Sequence, residues 1–336
     1  MLTVYVGFSV GEISQEETFG DYLSVERAAE NWNLENLSRG FGLRYMFLHI
    51  SLNLFGNIHI IPFIASISLL ILTYYITFEI SKKRFAGIIA MIIVLQSNLF
   101  LKYDIAATYT NFWTLFYLLS LYLIYKSWFL SPIFYLFSIF SKPLTAIFLP
   151  MTLFFTYRSN ISKRKKILTF LFYGIIVISG MTAYFFGVDF LPYDGFHYNE
   201  FLTGFKEFSN FLRFDGLITL FLLPLVVGLF VASRKGVHQA DSLMVLIAGI
   251  LLSFPLLTGF TCLTNQPYRF MPLVIFFAIG VGILLSNNKV SKLELVKKGG
   301  VVPYAAFSVS LVIVLITLSS VVFSDLIPGH YRLAGC

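Results

Sequence analysis

Long apolar runs separated by short polar joints recur along most of this chain. About 20 apolar residues cross a bilayer as a helix, and fewer suffice where the helix is packed inside protein. On that measure the pattern predicts an all-α, polytopic membrane protein with about ten spans, at residues 58–80, 85–101, 112–127, 128–140, 143–157, 167–187, 214–233, 241–260, 269–287 and 301–323. The fourth and fifth runs are short. Ser141-Lys142-Pro143 between them reads as a loop or a kink, because a residue before proline is pushed out of the helical region. Ahead of the first span, GLRYMFLHISLNLFG at 42–56 carries apolar residues at helical spacing around Arg44, His49 and Asn53. That spacing predicts a short interfacial or re-entrant helix outside the bundle.

Three regions follow: an acidic segment at 1–57, a bundle at 58–323 with outer loops at 102–111, 188–213 and 261–268, and a tail at 324–336. The opening MLTVYVGFSV lacks the basic flank and cleavage pattern of a signal peptide. It reads as the end of a truncated first helix whose beginning lies upstream of this chain.

Composition agrees with the pattern. Hydrophobic residues make up 57% of the 336, charged residues 12%, and mean hydropathy is +0.81, values far from those of a soluble domain. Thirty-eight Phe and 19 Tyr suit packed spans and interfacial belts. A formal charge of +7 would suggest nucleic acid in a soluble protein, but in spans the cations sort by side of the membrane. With ten crossings, Lys82–Arg84, Lys126, Arg158, Lys163–Lys166, Arg234-Lys235 and the lysines at 289, 292, 297 and 298 share one side. That side holds 15 of the 24 bases but only Glu79, Asp241 and Glu294 of the 17 acids, and so reads as cytoplasmic. Merging the two short spans would put the later basic loops on the wrong side. The acidic start, with seven acids against three arginines in its 57 residues, is then extracytoplasmic. Two cysteines, Cys262 and Cys336, are too few for a disulfide framework or a zinc site, though both fall on the side where a bridge is permitted.

Four polar stretches share the outer face: FGDYLSVERAA at 19–29, KYDIAATYTNF at 102–112, Ser141-Lys142-Pro143 and TNQPYRF at 264–270. Acids and bases at one depth suit an ion pathway, a structural ion-pair set or a site for an anionic lipid headgroup, and composition does not choose among them. His49 and His197 read as surface or loop histidines, and KRKK at 163–166 as a topology determinant.

The order of these stretches resembles the GT-C glycosyltransferases, among them the relatives of protein O-mannosyltransferase and of the aminoarabinose lipid A transferase. GDYLSVERAA is similar to their acid-bearing first outer loop, FSKPLTAIFLP to their lysine-containing turn, and PYRFMPLVIFFAIGVG to their arginine-aromatic helix start. The similarity covers roughly residues 19–287. It places Asp21 at the catalytic position. The usual second acid of that loop is replaced by Tyr22, with Glu26, Glu16 and Glu17 nearby, and Thr110 and Asn111 stand where the second loop tends to carry an acid, six residues after Asp104.

The resemblance implies a GT-C-like fold in a plasma membrane, with an extracytoplasmic active face. It also implies inverting transfer of a sugar from a polyprenyl-phosphate-linked donor to a glycan, lipid or protein acceptor, without nucleic acid. Such chemistry needs a carboxylate to take the acceptor's proton, the role of Asp21, with Asp104 positioning the acceptor or holding a divalent cation such as Mg or Mn. It also needs cations on the departing phosphate, the roles of Lys142 and Arg269, with Tyr268 and Glu26 as further substrate-binding residues. One or two outer carboxylates do not make a metal site. The competing class is a non-catalytic membrane protein, either a transporter or a subunit of a complex. A transporter more typically shows internal repeats and polar groups near the midplane of its spans, and the sequence has neither.

Overall fold

The computed structural model describes residues 2–13, 17–33, 42–185, 195–208, 211, 215–237, 239–261, 266–286 and 301–322. Among these residues every regular element is a helix: α1 (Leu2–Glu12), α2 (Tyr22–Glu30), α3 (Gly42–Phe55), α4 (Ile60–Ser81), α5 (Arg84–Leu95), α6 (Asn98–Tyr103), α7 (Phe112–Lys126), α8 (Ser131–Ser141), α9 (Leu149–Arg158), α10 (Lys163–Phe185), α11 (Tyr198–Lys206), α12 (Gly216–Arg234), α13 (Ala240–Thr261), α14 (Met271–Ser286) and α15 (Val301–Val322), with 3-10 turns at Pro143–Phe148 and Pro267–Phe270.

Six of these segments are long and apolar enough to cross a membrane: Ile60–Ser81, Lys163–Thr182, Gly216–Arg234, Ala240–Phe260, Pro267–Ser286 and Val301–Val322. Their outward faces carry side chains such as Ile178, Leu220 and Leu285, each more than 60% exposed. Such faces are unfavourable against water and natural against lipid. The chain is therefore a helical membrane protein.

Helices also stand at the other expected spans, but differently bounded. The run expected at 85–101 divides at Gln96-Ser97 into α5 and α6. There Ser97 turns inward, 3% exposed, so a polar side chain is satisfied within protein where the apolar pattern alone would continue the helix. The run expected at 143–157 opens as a 3-10 turn before α9, with Pro143 at the turn's start, where its missing N–H costs no hydrogen bond. With 12, 15, 11 and 10 residues, α5, α7, α8 and α9 are shorter than a bilayer-crossing helix standing alone. A helix does form where one is expected at 42–56, as α3.

The chain divides into two compact units. The first comprises Met1–Thr73, Phe100–Ala146 and Ile161–Phe190; the second comprises Tyr74–Leu99, Ile147–Asn160 and Leu191–Cys336. In the first, α7 packs along α8, α2 lies on α3, and α10 touches α8. Tyr173 makes the α10 contact, bonded to Ser131 at 2.9 Å and set edge-on to Tyr135 at 5.4 Å. The span of α10 is only 11% buried, which fits a helix with lipid on most sides. In the second unit α13 and α14 are the most buried spans, at 72% and 78%, and they carry α5, α9, α11, α12 and α15 around them. Gly282 sets the closeness of α14 to α5: a Cβ there would stand 2.5 Å from the carbonyl oxygen of Ala86. Arg158 at the end of α9 bonds the fully buried Asp241 in the first turn of α13 at 2.6 Å, which ties those two helices by charge.

Candidate functional site

Helix α2 owes its placement to a two-faced sequence. Tyr22, Val25 and Ala29, at helical spacing, pack with Leu48, Ile58, Ala65, Ala107 and Phe112 in one apolar cluster. The opposite face leaves Asp21, Leu23 and Ser24 exposed. Just ahead of it, residues 17–22 lie on the 104–111 loop. Glu17 accepts hydrogen bonds from the amide of Ala107, from the amide of Thr108 at 3.1 Å and from the Thr108 hydroxyl at 2.5 Å. His59 Nδ1 stands between the Ile105 carbonyl oxygen (3.1 Å) and the Glu17 carboxylate (3.4 Å), two acceptors that require this nitrogen to carry a proton. Burial works to raise the Glu17 pKa, but the bonds from His59, Thr108 and Ala107 outweigh it and hold the group below the ordinary glutamate value. Phe19 stacks on Tyr103 at 5.5 Å and meets Tyr109 edge-on at 4.9 Å, with the Lys102 ammonium 5.9 Å from the Phe19 and Tyr103 rings.

Asp21 therefore sits at the N-terminus of a well-anchored helix, beside an aromatic wall. It occupies the N-cap position, yet its carboxylate makes no capping bond; the helix start is closed by its main-chain carbonyl, which accepts from the amides of Ser24 and Val25 at 3.1 Å. Its side chain meets the Tyr109 hydroxyl at 3.5 Å, the outer limit of a hydrogen bond. Glu26, one turn on, accepts from the Tyr22 hydroxyl at 3.1 Å and is partly buried.

Asp104 is placed differently. It is 1% exposed, and its Oδ2 accepts from the Tyr5 hydroxyl at 2.6 Å and from Ser9 at 3.4 Å, both on α1. Burial, with the Glu12 charge adding to it, pushes its pKa up to about 6 against the pull of the Tyr5 bond. Its main-chain oxygen accepts from Ser66 at 2.6 Å, and Asn111 spans Ser66 and the Tyr103 carbonyl at 3.1 Å each, so the whole loop is pinned from below. Lys142 caps α8. It is 8% exposed, and its ammonium lies 5.2 Å from the ring centre of buried Trp113. A cation over an indole face gains attraction that offsets part of its desolvation.

Asp21, Glu26, Asp104 and Lys142 belong to the first unit, and Tyr268 and Arg269 to the second. The latter two lie on the 3-10 turn that opens α14, partly buried, with the guanidinium 6.0 Å from the Tyr268 ring. That turn is held by Phe270, buried among Phe208, Phe211 and Phe254 at 4.6 to 5.6 Å.

Sequence reasoning passed over His59, Tyr109 and Tyr5 and held Glu17 only as a nearby acid. His59 and Glu17 are 42 positions apart and meet through the fold, so no spacing announces them. His49 bridges the Ala29 carbonyl and Asn53 at 2.8 Å each, a structural role, and His197 caps α11, its amide bonded to Gly259 at 2.8 Å. Glu16, Cys262, Cys336 and the lysines beyond 286 lie outside the described residues. Among the described residues no three His, Cys, Asp or Glu side chains gather as a ligand set for a cation such as Mg or Mn. Comparison of the chain with models of protein families, with curated proteins and with solved structures gives no match.

Proposed function

We propose that this protein is a GT-C-like membrane glycosyltransferase. It moves a sugar from a polyprenyl-phosphate-linked donor to an acceptor hydroxyl at the extracytoplasmic face of the plasma membrane, with inversion and with Asp21 as base. The observation that carries the reading is the state of Asp21: an exposed carboxylate, spent neither on capping nor on an ion pair among the described residues, on a helix whose other face is buried. The partly exposed rings of Phe19 and Tyr109 beside it, backed by buried Tyr103, suit the C–H faces of a sugar.

In the reaction the acceptor O–H gives its proton to an Asp21 oxygen. The acceptor oxygen bonds to the anomeric carbon from one face as the bond to the phosphate oxygen breaks on the other, and the phosphate leaves with that electron pair. Asp104, enclosed and held by Tyr5, acts by fixing the loop beneath the acceptor and not on the acceptor itself. Lys142 is proposed to meet the departing phosphate, and Arg269 with Tyr268 takes the same role on the strength of its motif alone.

Ten crossings complete the proposal, with α5 to α9 spanning as short packed helices and the basic ends at Lys82–Arg84, Lys126, Arg158, Lys163–Lys166 and Arg234-Lys235 facing the cytoplasm. A second, non-catalytic reading draws on one observation: Glu17 and Asp104 are both spent on internal bonds, leaving Asp21 the exposed acid among the described residues of 17–29 and 104–111. Release of polyprenyl phosphate from radiolabelled hexose- and pentose-carrying donors, measured in membranes with and without the protein, separates the two. Release dependent on the protein is expected for the transferase. Background release with every donor favours the non-catalytic protein.

A further inference from the structure

Within the second unit, α5, α12 and α14 enclose a cavity of about 400 Å³ whose wall changes chemistry along its length. Its polar lining, Gln96, Ser97 and Asp215, comes from the C-terminal end of α5 and the N-terminal end of α12. All else is apolar, running past Ile218, Phe221 and Leu225 on α12 and Phe277, Val281 and Leu284 on α14. From Asp215 to Leu225 is ten residues, about 15 Å along a helix. Leu217 and Phe221 are more than half exposed, so the cavity opens sideways onto the lipid-facing surface. A volume of this size, mostly apolar with a few polar groups at one place, is the usual form of a small-molecule site.

The polar end has a definite sign. Asp215 is 8% exposed; the Ser97 hydroxyl donates to its Oδ2, and the Ile218 amide also faces the carboxylate. Among the described residues no lysine, arginine or histidine pairs with it. A phosphate or carboxylate headgroup would meet this acid at close range with no compensating cation among the described residues, whereas a hydroxyl or an ammonium would find an acceptor. The helix ends that carry it are the outer ones in the charge-based topology, so a head at Asp215 and a chain toward Leu225 match the orientation of a membrane amphiphile. A buried acid at membrane depth commonly marks a ligand or ion site.

We infer that this cavity binds a single-chain amphiphile whose head is a hydrogen-bond donor, an alcohol or an ammonium, seated on Asp215 and Ser97 with its chain between α5, α12 and α14. The site is independent of the glycosyl-transfer reading, uses none of its residues, and stands or falls without it.

The test uses the full chain in detergent and three photoactivatable C16 probes with the diazirine at one chain position: the alcohol, the amine and the fatty acid. The alcohol or the amine should label peptides of α12 and α14 at least tenfold above the acid. Loss of amine labelling in Asp215→Asn identifies the ammonium as the head. Preferential alcohol labelling retained in that variant identifies the hydroxyl. Leu217→Trp at the exposed lip and Val281→Phe in the wall should each reduce labelling at least fivefold, and the lip variant guards against a folding defect in the other. Equal labelling by the acid, labelling unchanged in both blocking variants, or no labelling of α12 and α14 by any probe would overturn the proposal.

Discussion

Asp104 and Glu17 meet the same loop with opposite pH behaviour. Asp104 is an acid whose pKa rises to about 6 on folding, so the folded protein holds its proton more tightly than the unfolded chain. Stability from this group therefore falls as pH climbs from the ordinary aspartate value to about 6, and the deficit, on the order of 3 kcal/mol, is complete above that. Asp104→Asn keeps an acceptor for Tyr5 without the buried charge. It should raise the melting temperature in detergent at pH 7.5 and leave it nearly unchanged at pH 4.5; an equal shift at both would exclude the charge as the cause. Glu17 has a lowered pKa, so its contribution is present above the ordinary glutamate value and is lost as pH falls through the folded one. Glu17→Gln weakens charge-assisted bonds worth about 2 kcal/mol together, and hydrogen exchange at the Ala107 and Thr108 amides should quicken at least tenfold, while amides in the middle of α4 keep their rates. At this scale the sequence was informative about one residue. Asp21 stands out in a polar stretch ahead of the spans, but that its carboxylate leaves its own helix uncapped depends on backbone geometry. The Glu17–His59 meeting depends on α4 starting beside the 104–111 loop, which composition does not encode.

Among the helices, legibility followed length. A largely apolar run of 22 residues whose one proline, Pro62, lies in the first turn, as in α4, can do little except span, and its end is marked by Lys82 in the left-handed conformation at φ 57°, a common way to close a helix. Shorter runs carry less information, since a buried helix and a span read alike below about 18 residues. Hence the break at Gln96-Ser97 was not foreseen: what ends α5 is a hydrogen bond from Ser97 to Asp215, 118 positions away. Helix contact also decides what each glycine tolerates. Gly282 has the Ala86 carbonyl oxygen 2.5 Å from where a Cβ would stand, whereas a Cβ at Gly174 on α10 meets nothing within 4 Å. Gly282→Ala should push α14 from α5 and cost about 1–3 kcal/mol, read as a lower melting temperature. Gly174→Ala should be neutral or gain up to about 1 kcal/mol from helix propensity. Similar losses in the two would deny the close packing of α14 on α5.

For the molecule as a whole, apolar runs of about 20 residues predict membrane-crossing helices, and six of the described helices are long and apolar enough to cross, since a helix satisfies its backbone groups within itself beside exposed apolar surface. Charge predicts a direction: between Asp104 and Asp189, a stretch without acids, Lys126, Arg158 and Lys163–Lys166 fall on the side read as cytoplasmic and Lys142 on the other. The chemistry was less legible, since function resides in sites and a fold hosts many of them. What joins sequence and structure is Asp21, which the resemblance singles out and the fold leaves exposed next to Tyr109. The most direct test is single-turnover sugar transfer from a polyprenyl-phosphate donor by the purified protein, compared with Asp21→Asn and Tyr109→Phe. A general base contributes about 10²–10⁴-fold, so Asp21→Asn should slow transfer by at least 100-fold with donor binding unchanged, and Tyr109→Phe by less than tenfold. Equal rates in the native protein and Asp21→Asn would contradict the account.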